Sequence, residues 1–183
     1  MNTVEPIRDL DKLEDMCDYL KGTKERDYIL FLMGIYTGLR VSDILKLKIR
    51  DVKDKKQITI KEEKTGKRKY IEINPILKKA LRDYVKDKDP DDYLIKSRNG
   101  YNKPICRKRA WEIISQLGEK FDEEHLGTHS MRKTLGYHFY KQTKDVALLQ
   151  HIFNHSSPSI TLDYIGINKD GIDKAYRRFR FFS

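Results

Sequence analysis

Residues 128–134 read THSMRKT and predict the first two turns of a helix. Thr128 is a candidate N-cap, and His129 and Arg132 lie three residues apart, so they share one face. The apolar residues at four-residue spacing on a neighbouring face are Met131, Leu135 and Phe139. The free N–H groups and positive dipole at this end of a helix favour a phosphate. We therefore expect a helix that packs inward while presenting an imidazole and a guanidinium at its N-terminus.

Four other segments carry groups of the kind that bind phosphate or move a proton. They are Thr37–Asp43 (TGLRVSD), Lys64–Lys67 (KTGK), Phe153–Ser157 (FNHSS) and Asp163–Ile165 (DYI). The second guanidinium, from Arg40, would let two planar forks grip the oxygens of one phosphate. An amine can protonate a leaving oxygen, and a phenol beside cations can act as a nucleophile. These groups are together the kind needed to break a phosphodiester without a metal ion.

Each of these residues also has an ordinary explanation when it is considered alone. A single Arg40 or an isolated H-x-x-R usually belongs to a surface or a salt bridge. Asp43 is equally well explained as a carboxylate at a helix start. Lys64 lies among other charged residues of a hairpin tip, and spacing alone does not separate it from Lys67. Tyr164 is one of eleven tyrosines. The functional hypothesis therefore depends on the ordered set.

Length and charge bound the class of protein. A chain of 183 residues is expected to form one domain, and 38 basic against 28 acidic residues give a net charge of +10. Such an excess favours a polyanionic partner, with nucleic acid the leading candidate. The longest apolar run, Tyr28–Tyr36, is too short to cross a bilayer. We expect a cytoplasmic protein with no membrane partner.

The cysteines and histidines predict no metal site. Cys17 and Cys106 are far apart and match neither a disulfide framework nor a zinc motif. Two histidine pairs at four-residue spacing invite a zinc interpretation, His125 with His129 and His151 with His155. Expected helix breaks within both pairs and the absence of nearby thiolates disfavour it. We expect neither a metal ion nor a cofactor.

Hydrophobic periodicity predicts a mainly α-helical α+β fold with one small antiparallel sheet. The predicted helices are Asp9–Leu20, Lys24–Thr37 with a stop at Gly38, a short helix from Ser42 or Asp43 to Leu47, Ile76–Val85 introduced by Pro75, and a helical pattern from Arg107 onward. Alternating isoleucines at residues 57–60 and 70–73 predict a β-hairpin, with 48–52 as a candidate third strand. Residues 86–102 are expected to form a long exposed loop.

Taken together, the ordered set resembles the tyrosine recombinase (phage integrase) catalytic domain from about Asp9 to the end of the chain. The set comprises Arg40, Lys64, His129, Arg132, His155 and Tyr164. The intervals of 23 residues from the second Arg to the second His, and of nine from that His to Tyr, fit the family pattern.

The resemblance implies a role for each residue. Arg40 and Arg132 would clamp the scissile phosphate while Tyr164 attacks it, leaving a 3′-phosphotyrosyl link. Lys64 would be the general acid to the 5′-oxygen. The remaining implied roles are proton transfer for His129, a hydrogen bond to the phosphate for His155, support of the site for Asp43, and DNA contacts for Lys67, Arg68 and Lys133.

The chain departs from the family pattern at several positions. Asp43 stands where Glu is more frequent, and Asn154 replaces a Gly before the second histidine. Because Asn tolerates left-handed backbone, we expect that turn to survive. Met131 and Lys133 replace the more familiar Leu and His without an expected cost.

The resemblance also implies how the chain is organised. We expect residues 1–183 to form one catalytic domain without an N-terminal core-binding domain. We expect residues 165–183 to form an apolar C-terminal tail that packs either on a neighbouring protomer or on its own domain.

The resulting hypothesis is a site-specific recombinase acting on double-stranded DNA, with integration or excision of a mobile element as the preferred task. The family implies a homo-oligomer, a tetramer on DNA, associated with the nucleoid of a bacterium or phage host, and leaves room for an accessory DNA-bending or directionality factor. The first alternative is a type IB topoisomerase. The second is a non-catalytic DNA-binding regulator that uses residues 131–139 and 146–153 as reader helices.

Overall fold

Helices make up most of the fold, and a two-stranded sheet interrupts them after the third helix. The computed structural model describes residues 4–182. In chain order the elements are α1 (Leu10–Thr23), α2 (Glu25–Thr37), α3 (Val41–Ile44), a 3-10 turn (Ile49–Asp51), β1 (Gln57–Lys61), β2 (Arg68–Glu72), α4 (Pro75–Val85), α5 (Arg107–Lys120), α6 (Thr128–Thr143), α7 (Val146–Phe153), α8 (Pro158–Tyr164) and α9 (Ile167–Arg178). The mainly helical fold class with a small antiparallel sheet is confirmed.

The central position predicted for α2 is confirmed, because every residue from Ile29 to Ile35 is buried. This helix ends at Gly38, whose φ of 61° places it in the left-handed region that favours glycine. The preceding helix, α1, begins after Asp9, whose carboxylate accepts hydrogen bonds from the backbone of the first turn. The short helix that follows Gly38 is shorter than predicted and covers only Val41–Ile44.

The hairpin is confirmed, with Ile58 opposite Ile71 and Ile60 opposite Lys69. The third strand expected at 48–52 is wrong. The Asp51 carboxylate accepts a hydrogen bond from the Lys48 backbone N–H at 2.8 Å, which closes a 3-10 turn instead. A single bridge from Lys48 to Tyr93 is the remaining β-type pairing of this segment.

Residues 86–102 contain no helix or named strand, but the expectation of an exposed loop is wrong at its centre. Leu94 and Ile95 are fully buried. The Leu94 backbone N–H donates to the Leu47 carbonyl at 2.8 Å, and its carbonyl accepts from the Tyr84 hydroxyl at 3.0 Å. Two apolar side chains in a charged segment were enough to anchor it, because their burial stabilises the folded chain.

Helix α6 lies between two hydrophobic clusters. On one side Met131 packs against Gly34 of α2, where a Cβ added to the glycine would lie 2.5 Å from the Met131 Cβ. On the other side Gly136 admits Phe153 and Ile165, which belong to a smaller cluster with the Tyr164 ring at its edge. The two glycines therefore set how closely the elements bearing the candidate site approach one another.

No helix within residues 4–182 is long and apolar enough to cross a membrane.

Candidate active site

Arg132 is the central group of the candidate site and is 98% buried, with 2% of the residue exposed. Its guanidinium donates one hydrogen bond to the Gly38 carbonyl and another, at 3.1 Å, to the Phe153 carbonyl. It also lies 4.3 Å from the centre of the Phe153 ring. These contacts join α6 to the end of α2 and to the end of α7. The segments containing Arg40 and His155 are thereby brought together.

The start of α6 differs in one detail from the prediction. Gly127, not Thr128, is the N-cap, and Thr128 is the first helical residue. The Ser130 hydroxyl accepts a hydrogen bond from the Gly127 backbone N–H at 3.1 Å. A glycine can take this position because a side chain from within the helix supplies the polar contact. His129 and Arg132 nevertheless occupy the first turn, as expected.

Arg40 immediately precedes α3 and follows the left-handed turn at Gly38. Its Nη1 lies 3.2 Å from the Glu62 Oε1 in a partly buried ion pair. Arg40, Lys64 and His129 line one open cleft of about 730 Å³. The structure therefore brings three of the predicted residues to one concave surface.

His129 is an exposed residue of this cleft. Even so, the partial burial of its ring lowers the pKa of His129, and the charges of Arg132 and Arg40 lower it further. The imidazole is consequently neutral at pH 7, so one ring nitrogen is available to accept a proton.

His155 follows a turn at Asn154, whose φ of 53° is left-handed. The expectation that Asn154 preserves the turn is confirmed. The His155 Nδ1 lies 3.0 Å from the Thr161 hydroxyl, which orients the ring from α8. Burial lowers the pKa of His155, and Arg132 contributes in the same direction. The second imidazole is therefore also neutral at pH 7.

Tyr164 is the last residue of α8, and its ring packs edge-on against His155 and Phe153 at 5.1 and 5.6 Å between ring centres. The hydroxyl oxygen is buried, and no group within residues 4–182 makes a well-formed hydrogen bond with it. Burial raises the pKa of Tyr164, although the nearby charges of Arg132 and Arg40 oppose the change. The phenol is therefore protonated at neutral pH and has a guanidinium beside it.

The structure separates the two lysines that spacing left equivalent. Lys64 lines the cleft with Arg40, and its positive charge lowers the pKa of both imidazoles. Lys67 instead lines a separate groove, with Asn154 and His155. Position thus favours Lys64 as the amine that shares one cleft with Arg40 and His129.

Asp43 is buried beneath the hairpin loop. Its Oδ1 accepts a hydrogen bond from the Glu63 backbone N–H at 2.9 Å, and its Oδ2 has no partner among the described residues. The contact orients the segment that leads to Lys64. A supporting role for Asp43 stays a prediction, and its hydrogen bond with the Glu63 backbone is the contact through which it would act.

Two charged residues near the site were missed by sequence reasoning. Glu62 is buried beside Arg40, and the Lys69 ammonium donates to the Ile152 carbonyl at 2.5 Å. Burial lowers the pKa of Lys69 to about 8, assisted by the charge of Arg132. Period-two alternation was the available signal, since Glu62 continues the inward face of Ile58 and Ile60.

The residues predicted to contact DNA occupy different environments. Lys67 and Arg68 are exposed at the hairpin. Lys133 is partly buried, with its Nζ 2.8 Å from the Val4 carbonyl and 5.2 Å from the centre of the Tyr164 ring. Sequence reasoning missed three exposed side chains of α5 that also line the 730 Å³ cleft. They are Arg107, Lys108 and Trp111.

Within residues 4–182, no three His, Cys, Asp or Glu side chains come together in a group that could hold a metal ion.

Comparison with known proteins places these observations in a family. The model described as "Phage integrase family" matches residues 8–170. The chain is 46% identical over 179 residues to a probable integrase/recombinase, YoeC, of Bacillus subtilis (strain 168), covering 98% of each chain. It is 26% identical to the tyrosine recombinase XerA of Pyrococcus furiosus, over 92% of this chain but only 59% of that protein.

Solved structures show the same fold. A crystal structure of XerA recombinase aligns with a TM-score of 0.75 at 24% identity, covering 97% of this chain and 65% of the other. A lambda integrase dimer bound to a core site aligns with a TM-score of 0.68 at 17% identity, covering 89% of this chain and 59% of the other. The predicted catalytic-domain architecture is thereby confirmed.

Proposed function

Because this chain belongs to the phage integrase family, we propose that it breaks and rejoins DNA strands with Tyr164 as the nucleophile. The bond exchange needs no external energy source, since the phosphodiester that is broken is replaced by a phosphotyrosyl ester. Reversal of the same step, with a new 5′-hydroxyl, reseals the strand.

The proposed cleavage assigns one task to each group. The Tyr164 oxygen attacks the scissile phosphorus and loses its proton to a neutral imidazole, for which His129 is the candidate. The phosphorus–O5′ bond breaks, and Lys64 donates a proton to the leaving oxygen. Arg40 and Arg132 neutralise the charge that develops on the non-bridging oxygens, and His155 donates a hydrogen bond to one of them.

The observation that carries this proposal is the placement of Arg132. Its guanidinium contacts the carbonyls of Gly38 and Phe153, and its charge acts on the Tyr164 phenol. A single buried cation thus connects the segment of Arg40 and the segment of His155 to the candidate nucleophile. A helix cap with incidental polar residues would not explain a guanidinium buried at this junction.

The burial of the Tyr164 hydroxyl favours a resting state that does not react. A phenol with a raised pKa is a poor nucleophile, and water is excluded from its oxygen. DNA binding would supply the phosphate that attracts Arg40 and Arg132. Its phosphorus atom would be the electrophile that the Tyr164 oxygen attacks. The tyrosine must then turn from its cluster toward the 730 Å³ cleft.

The proposed partner is double-stranded DNA, and the proposed task is integration or excision of a mobile element in the bacterial or phage-host nucleoid. The net charge of +10 and the cations lining the cleft support a polyanion there. The 46% identical relative is named a probable integrase/recombinase, which supports this class of task.

We also propose that the C-terminal tail packs on a second copy within a DNA-bound oligomer. None of the α9 residues is buried, and the large apolar side chains of the second half of α9 and of the residues after it are exposed. Their exposed fractions are 57% for Ile172, 80% for Tyr176, 61% for Phe179, 84% for Phe181 and 89% for Phe182. Among the described residues, ion pairs of Arg8 with Asp170 and of Glu5 with Lys169 tether the start of this helix.

A suicide duplex tests the proposed chemistry. The protein is incubated with DNA nicked close to the cleavage point, so that the leaving strand diffuses away and covalent protein–DNA adduct accumulates. We expect a denaturant-resistant, protease-sensitive adduct that is absent with Tyr164→Phe, while that variant binds the duplex normally. Failure of the wild-type protein to form an adduct on its own target would refute the proposal.

The same experiment separates the alternatives. A non-catalytic regulator would bind DNA but yield no adduct, whereas a type IB topoisomerase would relax supercoiled plasmid without a defined recombination site. Binding measured against salt adds an independent check, because each neutralised phosphate contributes about −0.9 to the logarithmic slope. A flat salt profile would argue against a DNA groove lined by lysine and arginine.

A further inference from the structure

The Glu62 carboxylate is almost completely buried, with 1% of the residue exposed. Its Oε1 accepts a hydrogen bond from the Arg40 Nη1 at 3.2 Å. Its Oε2 accepts from the Thr65 hydroxyl at 2.7 Å and from the Asn154 Nδ2 at 3.0 Å. One carboxylate therefore connects the start of α3, the hairpin loop and the end of α7.

A buried carboxylate is costly unless cations and hydrogen-bond donors compensate for lost water. Burial raises the pKa of Glu62, but the hydrogen bond from Thr65 and the charges of Lys69, Arg40 and Arg132 outweigh this effect and leave the pKa below its usual value. The group is thus ionised at neutral pH and holds its partners with charge-assisted hydrogen bonds.

The partners of Glu62 are adjacent to the proposed phosphate ligands. Arg40 is itself one of them, and a guanidinium has further N–H donors that remain after one is used by a carboxylate. Asn154 directly precedes His155 and holds its left-handed turn. A change at Glu62 would consequently reach Arg40 directly and His155 through the Asn154 side chain.

Closure of the hairpin loop does not account for this arrangement. Backbone bonds already close the loop, since the Glu62 N–H donates to the Lys67 carbonyl and the Gly66 N–H donates to the Glu62 carbonyl, both at 2.9 Å. The Glu62 side chain reaches out of the loop to two other elements. Its hydrogen bonds with Arg40 and Asn154 hold those elements against the hairpin.

We propose that Glu62 is a positioning residue for strand cleavage, and this inference rests on the function proposed above. The carboxylate holds the Arg40 guanidinium and, through Asn154, the turn before His155 in the arrangement that receives the scissile phosphate. Asn154 stands where the family more often has Gly. Its side chain links the turn before His155 to Glu62 and, through Glu62, to Arg40.

The test compares Glu62→Gln with a matched control, Glu72→Gln. Both substitutions remove one negative charge at nearly constant volume, but Glu72 lies exposed on β2, outside the site. Adduct formation is measured in single turnover on the suicide duplex, and DNA affinity is measured in the Tyr164→Phe background. Thermal unfolding of each variant shows whether the fold is retained.

We expect Glu62→Gln to lower the adduct-forming rate about ten-fold or more, because small misplacements of catalytic groups have effects of that size. Its DNA dissociation constant should change less than about three-fold, since removing a negative charge near the phosphate does not weaken attraction. Equal rates for the two variants would overturn the proposal. So would parallel losses of rate, affinity and thermal stability, which would indicate a purely structural role.

A double-mutant cycle tests the link to His155. Asn154→Gly keeps the left-handed turn and removes only the amide that reaches Glu62. It should slow cleavage in the wild-type background and add little in Glu62→Gln, because the connection is already cut. Equal effects of Asn154→Gly in both backgrounds would refute coupling through Glu62.

A measurement on the free protein keeps this inference separate from the proposed function. The Nε–H resonance of Arg40 is assigned by its loss in Arg40→Lys. We expect it to shift or broaden in Glu62→Gln and to stay unchanged in Glu72→Gln. An unchanged resonance in Glu62→Gln would show that Glu62 does not position Arg40 and would refute the inference. Absence of adduct from the wild-type protein would instead refute the proposed function, while the contact between Glu62 and Arg40 would still be detected in the free protein.

Discussion

The contact between Gly34 and Met131 predicts the outcome of one substitution in detail. In Gly34→Ala the new Cβ would lie 2.5 Å from both the Cβ and the Sδ of Met131. Carbon atoms pack favourably at about 3.5–4.0 Å, so α2 and α6 must separate locally by about 1 Å. The sulfur atom can rotate away, but the Met131 Cβ is fixed to the backbone of α6.

Two opposing contributions set the magnitude. Alanine in a helix interior is favoured over glycine by about 1 kcal/mol, while overpacking a core costs about 1–3 kcal/mol. Because the contact involves a Cβ, we take the upper end and expect a net loss of about 2 kcal/mol in the free energy of unfolding. For a chain of this length that corresponds to a fall of about 4–8 °C in melting temperature.

Gly34→Ala should reduce the rate of DNA cleavage more than it reduces the stability of the fold. Helix α6 carries His129 and Arg132, and Arg40 follows the end of α2, so the contact at Gly34 sets the distance of these two residues from Arg40. A displacement of about 1 Å can reduce a catalytic rate about 100-fold. Single-turnover adduct formation at a temperature where the variant is fully folded measures this effect.

Gly22→Ala is the matched control. Gly22 lies in α1, and a Cβ there would meet nothing within 4 Å. We expect this substitution to stabilise the protein by about 0.5–1 kcal/mol and to leave cleavage unchanged. If Gly34→Ala raised the melting temperature as much as Gly22→Ala does, and cleaved DNA at the wild-type rate, the packing argument would be refuted.

Three further substitutions test other parts of the structure. Gly136→Ala would place a Cβ 2.6–2.8 Å from Ile165 and Phe153, so denaturant unfolding should show a loss of about 1–3 kcal/mol, with cleavage reduced further. The pKa of Lys69 is lowered from 10.5 to about 8 in the folded protein, so the unfolded state binds this proton more tightly. Protonated Lys69 therefore lowers the free energy of unfolding of the wild-type protein below pH 8, and this destabilisation disappears as the pH rises to about 10.5. The stability of Lys69→Met relative to the wild-type protein should therefore decline over that window, by at most about 2 kcal/mol given partial exposure, and a pH-independent difference would contradict the lowered pKa. Tyr164→Phe removes a buried hydroxyl that makes no well-formed hydrogen bond within residues 4–182, and it should leave the melting temperature unchanged or higher while abolishing cleavage. A clear loss of stability would show that the nearby Arg132 guanidinium stabilises this hydroxyl in the folded protein.

Local patterns were sufficient to predict most helices and the hairpin. The three-and-four spacing in α1, the stop at Gly38 and the alternation of Ile58 and Ile60 each report on a few neighbouring residues. The segment at 48–52 was misjudged because Asp51 offers its carboxylate to the Lys48 N–H, and this local bond competes with strand pairing.

The chemistry of the site was accessible from residue order, whereas its supporting contacts were not. Nothing in the spacing shows that Arg132 donates to Gly38, 94 positions away, or that Lys69 reaches the carbonyl of Ile152. Such contacts depend on how α2, α6 and α7 pack. The alternation of Ile58 and Ile60 predicts that Glu62 points inward. Its hydrogen bond with Asn154 could not be predicted, because it depends on how the hairpin packs against α7.

Mass-spectrometric identification of the residue joined to DNA tests the central claim most directly. The adduct trapped on a suicide duplex is digested with protease and nuclease, and the peptide bearing the nucleotide remnant is sequenced. We predict a phosphodiester remnant on Tyr164 and on none of the other ten tyrosines of the chain. A remnant on a different residue, or an adduct that persists in Tyr164→Phe, would contradict it.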